Sequence, residues 1–213
     1  MLRLQRVGSQ VMRMKNLYKL ITKSILAGAL IALAGILYLS SPNKEIGAIL
    51  FSIGLISVIL LEANLYTGKV GYVNSKQDIF DLVIMLLFNL VSAFIVGLIY
   101  RSGNGSISIM EIKVEKDLWK AFLDSVGCGA LIYLGVELYK KTKNMIPVIL
   151  CVVAFILVGF EHCVANMFYI GASDLKLIYF GYSLIYIVGN AVGSILIRLL
   201  QRGWKDEVPK DLH

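Results

Sequence analysis

The sequence predicts an all-α membrane protein in which six transmembrane helices form an inverted repeat of three plus three, with the second and fifth helices broken. Three observations predict this. Hydrophobic residues fill 58% of the 213 positions and charged residues only 16%, for a mean hydropathy of +0.76. Soluble domains run roughly 45–50% apolar and about 25% charged, so a water-soluble globule is excluded; a disordered chain would be charge-rich and aromatic-poor. Six apolar segments follow one another along the chain, and two short runs recur at a common offset of 101 residues.

The basic stretch 1–20 lacks a short apolar core with a small-residue cleavage site and reads as a cytoplasmic N-terminal segment. The first apolar segment is Ile21–Leu39, ended by Ser40-Ser41-Pro42. The second is Ile46–Leu61, and the third is Ile79–Tyr100, closing the first three-span copy at 21–100. The fourth is Leu118–Tyr139, the fifth Met145–Phe160 and the sixth Leu175–Leu200, making a second copy at 118–200 and leaving 201–213 as a tail. Helices are the default here, because lipid offers backbone groups no other partner. The whole chain, 1–213, reads as one transmembrane domain.

The net charge is +7. In a soluble chain that would point to nucleic acid; here it reads as loop charge that sets topology. Fifteen of the 21 Lys and Arg fall on one side if both termini lie together, against six on the other. The excess places both termini in the cytoplasm of a multi-pass inner-membrane protein. Cys128, Cys151 and Cys163 sit in apolar runs without metal-ligand or CxxC spacing and read as small buried hydrophobes. The sequence calls for no metal and no cofactor.

Gly28-Ala29-Leu30-Ile31 recurs as Gly129-Ala130-Leu131-Ile132, and Asn89-Leu90-Val91-Ser92 is echoed by Asn190-Ala191-Val192-Gly193, both 101 residues on. Three spans per copy flip the second copy in the membrane. The glycine-rich stretch Asn190–Ser194 reads as a site of close helix packing. The second segment of each copy is short and runs into polar residues: Glu62-Ala63-Asn64-Leu65-Tyr66-Thr67-Gly68 in one, Glu161-His162-Cys163-Val164-Ala165-Asn166 in the other. Glu62 and Glu161, 99 apart, are taken as equivalent. Ionisable groups at membrane depth are costly, and polar interruptions at matching points of two halves point to a transport site. Two helix ends meeting there would offer backbone N–H groups and positive dipole ends to an anion.

Gly159-Phe160-Glu161-His162-Cys163-Val164-Ala165-Asn166-Met167-Phe168 closely resembles the fifth-span signature of the formate/nitrite transporter family, and Leu65-Tyr66-Thr67-Gly68 resembles that family's broken second span. The resemblance covers about Lys15 to Leu200. It implies a homopentamer of aquaporin-like six-helix protomers in the lipid bilayer, each with its own pore for small monovalent anions such as formate, nitrite or hydrosulfide. By the same resemblance His162 is the central pore histidine and Thr67 the threonine facing it. Leu65 and Phe155 match an apolar constriction on the cytoplasmic side, Phe51 and Leu55 the other. Val136 and Tyr133 match pore-lining positions of the fourth span, and Lys19 a basic residue near the mouth. The chain departs from the family pattern at Glu62, where Gly is usual, at Asn64, where Glu or Asp is usual, and at Tyr133 and Glu137.

His162 also admits a bland reading as a bridge between helices, and Thr67 as a hydroxyl satisfying local backbone. Glu161 is either a pore acid or, the favoured reading, a structural acceptor that ties the broken helix to its partner, with Asn166 beside it; placed behind the histidine it would also be able to fix the imidazole tautomer. The expected function is a passive or proton-linked channel or transporter for small weak-acid anions, with a hydrosulfide channel as the alternative. A structural or assembly membrane protein leaves two matched polar breaks unexplained. An intramembrane enzyme lacks support: there is no HExxH pair and the only other histidine is His213. A neutral-solute channel would carry paired Asn-Pro-Ala half-helices, which are not present.

Overall fold

A computed structural model describes residues 2–205, with side chains described for 14–203. Arg3, Arg6 and Arg13 as topological charges, and most of the tail at 201–213, therefore lie outside the described side chains. The described chain is helical: α1 (Leu2–Leu39), α2 (Lys44–Leu60), α3 (Tyr66–Lys69) running into a tight turn at Val70–Tyr72, α4 (Lys76–Asn104), α5 (Ile109–Val114), α6 (Leu118–Thr142), α7 (Ile146–Val158), α8 (Cys163–Ala172) and α9 (Leu177–Lys205).

Helix starts follow local chemistry. Asn43 caps α2, Ser75 and Asp78 form a reciprocal capping box at α4, and Asp117 caps α6. Pro147 sits in the first turn of α7, where its missing N–H costs nothing. α1 from Met14, α4, α6 and α9 are each long and apolar enough to cross a membrane, and α7 with α8 makes one further candidate, bent by 54°. That is four spans, or five with the bent pair, where the sequence leads one to expect six. The second segment falls short because α2 has 17 residues and the helix after its break only four. Seventeen residues cover only about 25 Å of a hydrocarbon core about 30 Å thick.

α6 packs on α9 and α1 on α4, with α2 against α7 between the two pairs. The α6–α9 seam is close because glycines leave it bare. A Cβ on Gly129 would fall 2.1 Å from the Asn190 carbonyl oxygen, and one on Gly193 would fall 1.9 Å from that of Val126. The close packing expected at Asn190–Ser194 is thus present, and Asn190 does more besides.

Both breaks use one set of hydrogen bonds. Ala63 N–H and Phe160 N–H return to the carbonyls of Val58 and Phe155, each at 2.9 Å. Asn64 N–H reaches Lys23 O at 3.0 Å, and Glu161 N–H reaches Asp124 O at 3.3 Å. Asn89 Oδ1 accepts the Tyr66 N–H at 2.8 Å, while its Nδ2 donates to Ser24 O at 2.7 Å and Asn64 O at 2.9 Å. Asn190 Oδ1 accepts the Cys163 N–H at 2.9 Å, while its Nδ2 donates to Ser125 O and Glu161 O, both at 2.8 Å. Each amide therefore closes one break and ties it to a long helix.

These bonds correct the register read from sequence. On the long helices the offset is 101, as Asn89 and Asn190 show, but at the breaks it is 97, because the first copy is four residues longer between Ser24 and Tyr66 than the second between Ser125 and Cys163. Glu62 is thus equivalent to Gly159, and Glu161 to Asn64. Glu62 and Gly159 both adopt left-handed backbone, with φ of 50° and 86°. The Glu62 side chain is 84% exposed and meets Lys23 at 3.5 Å; Glu161 is 0% exposed.

A left-handed residue with a Cβ costs roughly 1–2 kcal/mol relative to glycine. Nothing lies within 4 Å of a Cβ built on Gly159, so Gly159→Ala carries that backbone cost alone. Gly159→Ala should lower the thermal unfolding midpoint in detergent and Glu62→Gly should leave it level or raise it. Equal, unchanged midpoints in both variants would contradict the left-handed assignment.

Candidate functional site

Two cavities are lined by residues of the two breaks. The larger, about 1020 Å³, is lined by Leu55, Val58, Leu65, Val136 and the ammonium-bearing Lys23, Lys69, Lys140 and Lys143. The smaller, about 260 Å³, is lined by Phe51, Phe155, His162, Glu161, Asn166, Lys44, Lys113 and Lys116. The two share no lining residue.

His162, on the smaller cavity, meets Thr67 of the other break. Thr67 Oγ1 lies 2.9 Å from His162 Nε2, and both residues are buried. His162 is also the N-cap of α8, its Nδ1 accepting the Ala165 N–H at 3.1 Å. A nitrogen that accepts carries no proton, so the imidazole is the neutral Nε2–H tautomer and Nε2–H donates to Thr67. The helix dipole acts the same way, since its positive end disfavours a cation at the cap. The Phe155 ring stacks on the imidazole at 6.1 Å with 20° between planes, and Phe51 meets Phe155 edge-on at 5.9 Å.

The tautomer is therefore set by Ala165 and not by Glu161, which is a buried acceptor. Its carboxylate accepts from Lys113 at 2.5 Å, Lys116 at 2.6 Å and Asn166 Nδ2 at 2.9 Å. Lys116 also donates to Asp124 at 2.8 Å and to the Gly159 carbonyl at 2.9 Å. Burial works against the Lys116 charge, but the Glu161 charge and the bonds to Asp124 and Glu161 outweigh it and raise its pKa. Glu161 and Asn166 are thus joined in one buried polar cluster. Lys113, Lys116 and Asp124 belong to it and escaped the sequence reading. By sequence the two lysines read as loop charge; Asp124, an acid inside an apolar segment, carries the detectable signal.

The apolar residues sort differently from the expected pairs. Leu55 and Leu65 line the larger cavity, Phe51 and Phe155 the smaller. α2 runs from Lys44 at the smaller cavity to Leu60 at the larger, so the one turn between Phe51 and Leu55 crosses from one to the other. Phe155 lies near the end of α7, which runs the opposite way and finishes at the smaller cavity.

Val136 lines the larger cavity, but Tyr133 lines neither. Its ring packs against Gly71, where a Cβ would come within 2.6 Å, and its hydroxyl donates to Gln201 Oε1 at 2.9 Å. Glu137 likewise accepts from Tyr72 at 2.8 Å and Gln201 at 3.1 Å. Both departures brace the turn after α3 against α6 and α9, and Arg198 adds bonds to Gly71 O at 2.6 Å and Val73 O at 2.8 Å. Lys19 is exposed on α1 and lines neither cavity; Lys23, one turn on, is the α1 lysine that does.

The chain matches the formate/nitrite transporter family over residues 2–202. It belongs to that family. It is 28% identical over 179 residues to the formate channel FocA of Haemophilus influenzae, covering 68% of this chain and 63% of that protein. It is 30% identical over 201 residues to a probable formate transporter of Methanothermobacter thermautotrophicus (71% of this chain, 73% of that one) and 28% identical over 173 residues to the nitrite transporter NirC of Escherichia coli (68% and 64%). The matched part thus spans somewhat under two thirds of FocA and NirC. Among solved structures, the fold is that of an FNT family ion channel (TM-score 0.80, 24% identity, 92% and 93% covered) and of a pentameric formate channel with formate bound (TM-score 0.73, 21% identity, 91% and 97% covered).

Breaking a buried ion pair from one side costs about 3–5 kcal/mol, because the remaining charge stays buried and unpaired. Glu161→Gln should lower the unfolding midpoint sharply, and adding Lys116→Met should recover part of the loss. The raised Lys116 contribution is complete below the ordinary lysine value and fades only as pH rises through the raised one, so the difference between parent and Glu161→Gln should hold from pH 6 to 8. An additive, unrecovered loss in the double variant would break the cluster into independent parts.

Proposed function

We propose that the chain is a multi-pass channel or transporter for small monovalent weak-acid anions, formate and nitrite foremost, passing between the two cavities at His162 and Thr67. The carrying observation is a neutral imidazole N–H held between aromatic and aliphatic walls, at the meeting point of two broken helices. The reading includes one transmembrane domain of six membrane-crossing segments, with α2–α3 and α7–α8 as the broken ones. It also includes a three-plus-three inverted repeat, supported by the matched break bonds and the opposite directions of α2 and α7. Both termini lie in the cytoplasm by the charge excess, with the larger cavity on that side, and the protomers assemble as a pentamer, as the formate-bound neighbour does.

An anion leaving either cavity must shed water against Leu55 and Leu65 or Phe51 and Phe155. The conjugate base of a weak acid can avoid that cost by gaining a proton; chloride cannot. His162 serves as hydrogen-bond donor through Nε2, exchanging Thr67 for the substrate. Its Nδ1 is committed to Ala165, so giving away the Nε2 proton would leave an imidazolate. Proton uptake therefore belongs to the cavities and hydrogen bonding to His162. A hydrosulfide channel is the second reading, since that ion is also a weak-acid anion.

Replacing His162 separates its two tasks. His162→Asn keeps an N-cap acceptor but shortens the donor; His162→Phe removes both. Both should reduce formate and nitrite flux into liposomes at least about tenfold, the factor for one lost hydrogen bond of about 1.4 kcal/mol, and only the Phe variant should also melt earlier. Parent-level flux in His162→Asn, or parent chloride flux equal to that of formate, nitrite and hydrosulfide, defeats the mechanism.

A further inference from the structure

The two breaks share a backbone plan but differ in charge. Where the second copy places Glu161 and Asn166, the first places Asn64 and Lys69, 97 residues earlier in each case. The internal bond is kept with its chemistry reversed: Lys69 Nζ donates to Asn64 Oδ1 at 2.8 Å, where Asn166 Nδ2 donates to Glu161. In the second copy the buried acid is matched by lysines from outside the break. In the first copy, among the described residues, no carboxylate lies within ion-pair distance of Lys69.

Other charges on the larger cavity are already occupied. Lys23 pairs with Glu62 at 3.5 Å, Lys140 sits 3.3 Å over the Tyr72 ring and Lys143 lies 5.7 Å from the Tyr139 ring. Asp78 accepts the N–H groups of Asn74 and Ser75, and Asp81 accepts from Gln77. Lys69 alone of the four lysines is held only by a neutral amide oxygen. An ammonium only donates, so Asn64 must turn Oδ1 toward it, which leaves Nδ2 facing elsewhere. Asn64 is 8% exposed, lines the larger cavity, and its Nδ2 has no hydrogen-bond acceptor among the described residues. The cavity floor beside Leu65 therefore presents a charged donor and an adjacent neutral donor, each with hydrogen-bonding capacity left open to the cavity.

We infer that Lys69 and Asn64 form a binding subsite for a small monovalent oxyanion at the floor of the larger cavity, next to the Leu55–Leu65 wall. Two neighbouring donors suit an ion with two oxygens, formate or nitrite, better than chloride or hydrosulfide. The charge-assisted bond from Lys69 supplies most of the hold and the Asn64 amide fixes orientation. An acid in place of Asn64 would fill the subsite with the protein's own carboxylate. Its absence sets this copy apart from the neutralised second one.

The subsite rests on the anion-channel reading, and its test separates the two. Formate and nitrite binding to the solubilised protein is titrated calorimetrically for parent, Lys69→Gln, Asn64→Asp and His162→Asn, and flux saturation is measured for the same set in liposomes. Lys69→Gln and the near-isosteric Asn64→Asp should each weaken binding and raise the half-saturating concentration about tenfold, while His162→Asn lowers flux even at saturating anion. Asn64→Asp retains the lysine and the shape, so it decides the matter even if Lys69→Gln fails to fold. If the parent binds neither ion, or both floor variants bind like the parent, the subsite is overturned. If binding depends on Lys69 while the parent moves neither ion, the subsite stands and the channel reading falls.

Discussion

A helix broken inside a membrane leaves backbone N–H and carbonyl groups that lipid cannot satisfy, each unpaired group costing several kcal/mol. That constraint organises this protein. Asn89 and Asn190 answer it: each amide accepts the first N–H of the helix after the break and donates to two carbonyls, one in the break and one on a long helix. An asparagine is the smallest side chain able to do both. Reaching the carbonyls requires close helix approach, and the bare Gly129 and Gly193 positions provide it between α6 and α9. The left-handed turn at Glu62 and Gly159 then aims the following residues back inward.

The histidine's chemistry follows from the same demand. α8 begins at membrane depth and needs a cap, and His162 supplies one through Nδ1. The cap consumes one nitrogen and thereby fixes the proton on the other, aimed at Thr67 on the opposite break. A structural obligation on one side of the ring thus sets the donor on the other. Glu161 is equally bound by burial: with 0% exposure it must be paired, and Lys113 in the last turn of α5 and Lys116 just after it reach in to pair it.

Hydropathy made the apolar segments legible, since length and composition alone decide what can sit in lipid. The long signature around His162 marked the second break, and Leu65-Tyr66-Thr67-Gly68 the first. What failed was direction and register. The repeat offset was read from helices, where glycines and asparagines keep it at 101, and it slips to 97 at the breaks, so Glu62 was matched with the wrong partner. The resemblance pairs Phe51 and Leu55 in one constriction, yet the one turn between them is also the step from one cavity to the other. Lys113 and Lys116 carry the same letters whether they point to water or to a buried acid; only Asp124, an acid within an apolar run, hinted that cations were needed nearby. Tyr133 looked like a lumen residue until Gly71 supplied a surface for its ring and Gln201 an acceptor for its hydroxyl.

The two breaks also show how a repeated backbone device can carry opposite electrostatics. The bonds that close each break involve main chain and asparagine, so they are indifferent to the residues at the floor of each cavity. That leaves the floor positions to vary: an acid ringed by lysines at the smaller cavity, a lysine held by an amide at the larger one. At the first floor Lys69 has no carboxylate within ion-pair distance among the described residues; at the second, Lys113 and Lys116 pair with Glu161, and Lys116 and Lys120 with Asp124. An anion approaching from the larger cavity therefore meets Lys69 and Asn64 before the apolar wall, whereas one approaching from the smaller meets Lys44, bonded to the Leu157 carbonyl, and the lysines paired with Glu161 before the imidazole. The asymmetry lies in side chains laid over near-symmetric main-chain bonding, which is why a single substitution at Asn64 can change one cavity's charge without touching the bonds that close the break.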